Sequence, residues 1–278
     1  MDFTSVTGTL LLLFTAAVSF QGLRSSKYMD AYKFEVDAIL IDRQWYRLLS
    51  AGFLHGSWLH FGFNMIALLS FSFALELKFG MLLFLGLYFI CMLGGSLLAL
   101  YIHRNHGDYS AVGASGAISG VIFSSIILYP SSSISFIILP IEIPNWLFGI
   151  GFVLVSIFGI KSQIGNIGHE AHLGGAITGI LATIFIDFGL IASSWWLILL
   201  LLVPTVAFLI LIIRNPAVMM IKEYWGEGVI DIQDAYTGRK SRMSRQEEID
   251  YLLDKIRTKG IKRLTKKERQ RLKEIRGE

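Results

Sequence analysis

A serine, two pairs of histidines and an asparagine stand out in this chain as side chains able to exchange protons or attack a carbonyl. They are His55, His60 and Asn64; Ser115 within Gly113-Ala-Ser-Gly-Ala-Ile-Ser-Gly120; and His169 with His172. A serine hydroxyl beside an imidazole is a nucleophile with its general base, and donors aimed at the same point hold the oxyanion formed when a carbonyl is attacked. Ser115 falls near a predicted helix start, where unpaired backbone N–H groups and the positive end of the helix dipole favour an anion. His60 and Asn64 are four apart, hence on one helical face, and add side-chain donors. No carboxylate offers itself as a third partner: Glu170 is two residues from His172 and points to another face, and Asp108 lies in a loop. The expected constellation is a Ser115–His172 dyad.

Each piece alone has a plainer explanation. Small-residue motifs in membrane helices usually serve packing. His169 and His172 suit a loop end or a metal, and with His55 and His60 they would suit a metal transporter, although no intramembrane carboxylate cluster accompanies them. His169-Glu-Ala-His172 is one residue short of the HExxH zinc motif. His103 and His106 read as solvated residues flanking a loop.

Composition shows what kind of scaffold carries these side chains. The chain has 278 residues, 54% hydrophobic and 17% charged, with mean hydropathy +0.58, whereas soluble domains carry about 25% charge. Of 25 Lys+Arg and 21 Asp+Glu, residues 215–278 hold 16 and 11, leaving 9 and 10 for the first 214 residues. So sparse a segment reads as a polytopic membrane protein, since about 20 apolar residues cross a bilayer. Seven spans are predicted, at about Phe3–Gly22, Trp58–Leu77, Met81–Ile102, Gly113–Tyr129, Pro144–Ile160, Ala171–Gly189 and Ser194–Ile213. Spans two, four and six run in the same direction, so the starts that carry His60, Ser115 and His172 share one face and depth. Gly116 with Gly120, and Gly175 with Gly179, form GxxxG motifs that allow spans four and six to approach closely. The first loop, about residues 23–57, is expected in the membrane interface. The basic tail carries capping boxes at Ser244–Glu247 and Thr265–Glu268, each opening a short helix, and is expected to touch anionic lipid or a partner protein rather than nucleic acid. The single cysteine, Cys91, excludes an internal disulfide, and no removable signal peptide is expected.

These residues together resemble the rhomboid intramembrane serine proteases. The likeness covers about residues 3–189: Trp45-Tyr-Arg47, His55-x4-His60-x3-Asn64, Glu76, Gly113-Ala-Ser-Gly116 and Ala171-His-Leu-Gly-Gly-Ala-Ile-Thr-Gly179. It implies an all-α polytopic membrane protein, a rhomboid-like six-helix bundle followed by a seventh transmembrane helix and a short helical tail. The corresponding units are residues 1–190, 191–214 and 215–278. The resemblance implies Ser115 as nucleophile, His172 as general base, and an oxyanion hole formed by His60, Asn64, Gly113 and the Ser115 backbone N–H. His55, Trp45, Arg47, Glu76 and His169 are structural or auxiliary, and no metal or cofactor is required. Its substrates would be single-span or multi-span membrane proteins met in the lipid bilayer, and the runner-up is a pseudoprotease that binds such clients without cleavage. The implied location is a bacterial inner membrane with the site toward the extracytoplasmic side, although the basic first loop and tail run against the positive-inside rule. One departure bears on the site: the aromatic residue usual four positions after the nucleophile is Ser119 here. Family precedent also makes span five and the loop after it, about Ile160–Gly168, the gate and cap for a substrate helix.

Overall fold

The computed structural model describes residues 5–135, 142–162 and 168–214. The chain divides into two units, Met1–Pro216 and Ala217–Glu278. The second unit, with both predicted tail helices, lies outside the described residues, as does most of the expected cap.

The first unit is helical, in the order α1 (Val6–Arg24), α2 (Ser26–Tyr32), β1 (Phe34–Glu35), α3 (Val36–Leu40), α4 (Arg47–Ser50) and α5 (Trp58–Phe79). Next come α6 (Met81–His103), β2 (Ser110–Ala111), α7 (Ser115–Leu128), β3 (Ser133–Ser135), β4 (Glu142–Pro144), α8 (Asn145–Ser162), α9 (His169–Ile186), α10 (Leu190–Ser193) and α11 (Trp195–Arg214). The long helices α1, α5, α6, α7, α8, α9 and α11 fall within a few residues of the seven predicted spans. Among the described residues, α1, α5, α6 and α11 are long and apolar enough to cross a membrane, and α7 and α8 are shorter apolar helices.

Local chemistry sets the helix ends. Ser5 caps α1 by accepting from the Gly8 amide at 2.7 Å, and Ser57 caps α5 by accepting from the His60 amide at 3.1 Å. Gly80, at φ +79°, ends α5 with its N–H on the Glu76 carbonyl, a conformation that L side chains resist.

The central helix is α7, buried along Gly116–Ile127 and packed against α5, α6 and α9. Its 14 residues span about 21 Å, against roughly 30 Å of hydrocarbon. A helix this short, walled by helices of 18 to 23 residues, does not reach both boundaries, so an end of α7 falls within the apolar layer. Outside this core, α8 packs on α7, α9 and α11.

The first loop folds into a lid of its own. β1 pairs antiparallel with β2, Phe34 opposite Ala111 and Glu35 opposite Ser110. Phe34, Val36, Ile39, Leu48 and Ala51 form a second apolar cluster with Ala99 and Leu100 of α6. Arg47 fastens it: its Nη1 donates to the Asp30 and Lys33 carbonyls at 2.8 and 2.7 Å and its Nε to Gln44 Oε1 at 2.7 Å. Trp45 is exposed.

Candidate active site

Ser115 is the first residue of α7. The chain reaches it through Gly113, whose φ of +134° belongs to glycine and whose N–H donates to the Ala51 carbonyl at 3.0 Å. A Cβ at Gly113 would stand 2.8 Å from His60 Cε1 and 3.7 Å from Ser115 Oγ. The hydrogen at this position therefore keeps an open space between the His60 ring and the serine.

His172 reaches Ser115 because α7 and α9 cross almost backbone to backbone. A Cβ at Gly175 would lie 1.8 Å from the Gly116 carbonyl oxygen, and one at Gly179 would lie 2.3 Å from that of Gly120. Both contacts repeat at four-residue spacing, so the crossing has one register. Ser124 adds to it by donating to the Gly120 carbonyl at 2.8 Å and lying 3.2 Å from that of Gly179. One residue before Gly116 and three before Gly175, the same register sets His172 Nε2 2.7 Å from Ser115 Oγ. α6 joins the crossing from its far side, with Gly174 against the Gly94 carbonyl and Gly95 against that of Ala171. Gly174 belongs to the motif Ala171–Gly179, whereas Gly94 and Gly95 carry the same small-residue signal with no motif to mark them.

The polar residues of α5 lie close by, unequally arranged. The His60 ring borders Gly113 and stands edge-to-face to His55 at 4.9 Å. Asn64 is buried and sends an amide N–H back to the His60 carbonyl at 3.0 Å. His55 is fully buried just before α5, its Nδ1 2.9 Å from Ser19 Oγ of α1. Ser19 has one proton and gives it to the Phe53 carbonyl at 2.9 Å, so His55 must donate from Nδ1. Nε2 is then the unprotonated nitrogen, buried without a hydrogen-bond partner among the described residues. Burial, and secondarily His60, pushes this imidazole down to about 3, so it stays neutral near pH 7.

The neighbours of His172 differ from the sequence expectation. Ser119 turns its hydroxyl onto the Ser115 carbonyl at 2.7 Å. Rings reach His172 from elsewhere: Phe152 of α8 at 5.9 Å between centroids and His169 at 5.7 Å. Phe152 had no distinguishing mark in an apolar span. Glu170 points away from His172, as expected, but into a buried cluster. Its Oε1 lies 3.1 Å from Nε2 of His103, whose ring stacks on Tyr109 at 3.6 Å. Burial, and secondarily Glu170, pushes the Tyr109 phenol well above its ordinary value. His103 is thus not the solvated residue its position beside a loop suggested, because the Tyr109 ring covers it and Glu170 lies beside it. Glu76 lies at the other end of α5. It accepts from the Ser5 hydroxyl, from Thr7 Oγ1 at 2.9 Å and from the Thr7 amide at 3.1 Å, placing a carboxylate at the start of α1. Among the described residues, no three His, Cys, Asp or Glu side chains converge as metal ligands.

The fold and the site together define a multi-pass helical membrane protein with a hydroxyl–imidazole pair at the start of a short central helix. Comparison with known proteins gives that class its family: the Rhomboid domain profile matches residues 42–187, just over half of the chain, and the chain belongs to the rhomboid family. A profile described as a family of unknown function (DUF6576) matches residues 231–276. The chain is 31% identical to Rhomboid protein 1, mitochondrial, of Saccharomyces cerevisiae over 143 residues, covering 50% of this chain and 41% of that protein. It is 28% identical to Rhomboid protease GluP of Bacillus subtilis over 161 residues, 58% of this chain and 30% of the relative. It is 42% identical to RHOMBOID-like protein 5 of Arabidopsis thaliana over 77 residues, 28% and 25% of the two chains. The match spans less than half the length of each of these relatives.

Proposed function

We propose that this protein is an intramembrane serine endopeptidase that cleaves membrane-protein substrates with Ser115 as nucleophile and His172 as general base. The observation that carries the proposal is the 2.7 Å separation of Ser115 Oγ and His172 Nε2 across a crossing whose register glycines set. The Bacillus subtilis relative is named a protease, which supports the same chemistry. A substrate helix unwinds at the site, because a helical peptide bond is shielded and its carbonyl already bonded. Ser115 attacks the exposed carbonyl as His172 takes the serine proton; the imidazolium then protonates the leaving amine. The α7 N-terminus, through the Ser115 N–H, and the His60 and Asn64 side chains face the oxyanion across the space left by Gly113. Asn64 keeps one amide N–H free for this after bonding the His60 carbonyl. Water then hydrolyses the acyl-enzyme.

In this assignment residues 1–190 form the catalytic core, residues 191–214 an added helix and residues 215–278 an appended module that touches anionic lipid or a partner. The site faces the extracytoplasmic side of a bacterial inner membrane. The test is cleavage of a single-span substrate in proteoliposomes. Wild-type protein cuts it, and Ser115→Ala, folded to the same melting temperature, does not. Equal cleavage by both proteins removes Ser115 from the chemistry, and intact substrate that co-purifies with wild-type protein points instead to a client-binding pseudoprotease.

A further inference from the structure

The ring contacts of His172 come from an unexpected helix. The nucleophile's own helix offers it none among the described ring pairs, because Ser119 occupies the position one turn below Ser115 and spends its hydroxyl on the Ser115 carbonyl. The Phe152 ring lies 5.9 Å from the His172 ring, tilted by 42°. Phe123 of α7 holds it from behind, at 5.3 Å and 67°, and Phe148 stands one turn earlier on α8 at 6.4 Å. Phe152 is thus wedged between α7 and α9.

A second contact of α8 falls seven residues on, which is the same helical face. A Cβ at Gly159 would lie 2.2 Å from His169 Nε2, so the His169 ring rests on bare α8 backbone. That ring stands edge-to-face to His172, at 5.7 Å and 80°. α8 therefore reaches His172 directly through Phe152 and indirectly through Gly159 and His169. The rings bracket an imidazole whose Nε2 must stay on the serine.

We propose that Phe152 is a positioning residue that holds the His172 imidazole in register with Ser115, so that the alignment of the base depends on the placement of α8. This rests on the assignment of Ser115 and His172 as nucleophile and base. In such an arrangement any displacement of α8 takes the wedge with it and frees the imidazole to rotate about its side-chain bonds, whereas a ring carried at position 119 would be fixed to the same helix as the nucleophile.

The test separates positioning from simple space filling, using the full-length protein in detergent micelles and in proteoliposomes. The probes are a small fluorophosphonate, which reports the reactivity of Ser115 without requiring a substrate helix, and a single-span substrate. Phe152→Leu keeps apolar bulk and loses the ring; Phe152→Tyr keeps the ring. The expected result is a roughly two- to tenfold fall in labelling rate and in kcat for Phe152→Leu, the range that an aromatic pair contributes. KM stays within about a factor of two, and Phe152→Tyr recovers most of both rates. If the leucine variant melts early, Phe152→Met supplies the same loss of ring with a more adaptable filler. Wild-type labelling with unchanged labelling in a folded Leu or Met variant overturns this inference alone. Absent labelling of the wild type overturns the dyad and this inference together.

Discussion

The α7–α9 crossing and the flanks around it are held together by different means. At the crossing, Gly175 meets the Gly116 carbonyl and Gly179 meets that of Gly120, so backbone packs on backbone and the register has no side chain that can rotate away. At the flanks, side chains do the joining. Phe152 and Gly159 carry α8 onto the histidines of α9, Ser19 with His55 ties α1 to the start of α5, and Glu76 ties its end to the start of α1. The difference shows how a membrane protein in which helix association gains little from the hydrophobic effect fixes two reactive atoms. It places them at the end of a crossing that cannot slide, and leaves adjustment to rings and polar joints around them.

The largest effect should come from adding a methyl group at the crossing. Gly175→Ala sets a Cβ against the Gly116 carbonyl and is expected to cost more than about 4 kcal/mol, beyond the usual range for overpacking because backbone must move. Unfolding in a denaturing-detergent titration should show this together with loss of probe labelling. A near-native titration midpoint with full labelling would break the distinction between crossing and flank.

A smaller effect belongs to the His55 joint. Held near pKa 3 in the folded protein against about 6.5 unfolded, His55 is neutral in both states above pH 6.5 and contributes no pH dependence there. As pH falls below 6.5 the unfolded chain binds a proton that the folded protein refuses, so stability declines. At pH 4.5 the deficit is about 3 kcal/mol. His55→Gln should lose less stability between pH 7 and pH 4.5 than wild type, and an equal loss in both would show that this imidazole is not held neutral.

The smallest effect should be at Gly151, on α8, where a Cβ meets no atom within 4 Å. Gly151→Ala is expected to leave labelling unchanged and to add up to about 1 kcal/mol of stability, the helix-propensity difference between the two residues. Set beside Gly175→Ala, it makes the same chemical change with the opposite sign.

Much of the fold was legible in the sequence because a bilayer converts apolar run length directly into helices, and all seven long helices lie where hydropathy placed them. The level shared by His60, Ser115 and His172 followed from counting alternate spans. What escaped was long-range and lateral. Nothing local announces that Phe34 pairs with Ala111 or that Tyr109 stacks on His103 beside Glu170, so a histidine near a loop reads as solvated. Phe152 escaped for the opposite reason: one phenylalanine among many in an apolar helix has no mark until its neighbour is known. The ring that Ser119 does not present to His172 stands instead on α8, at Phe152.

The proposed chemistry requires Ser115 to be an activated nucleophile and His172 its base. Fluorophosphonate labelling of the full-length protein, with the modified residue located by mass spectrometry, reads both requirements at once. The expected result is one adduct, on Ser115, that disappears in His172→Ala while the variant remains folded. Labelling elsewhere, or on Ser115 at an undiminished rate without His172, would rule the dyad out.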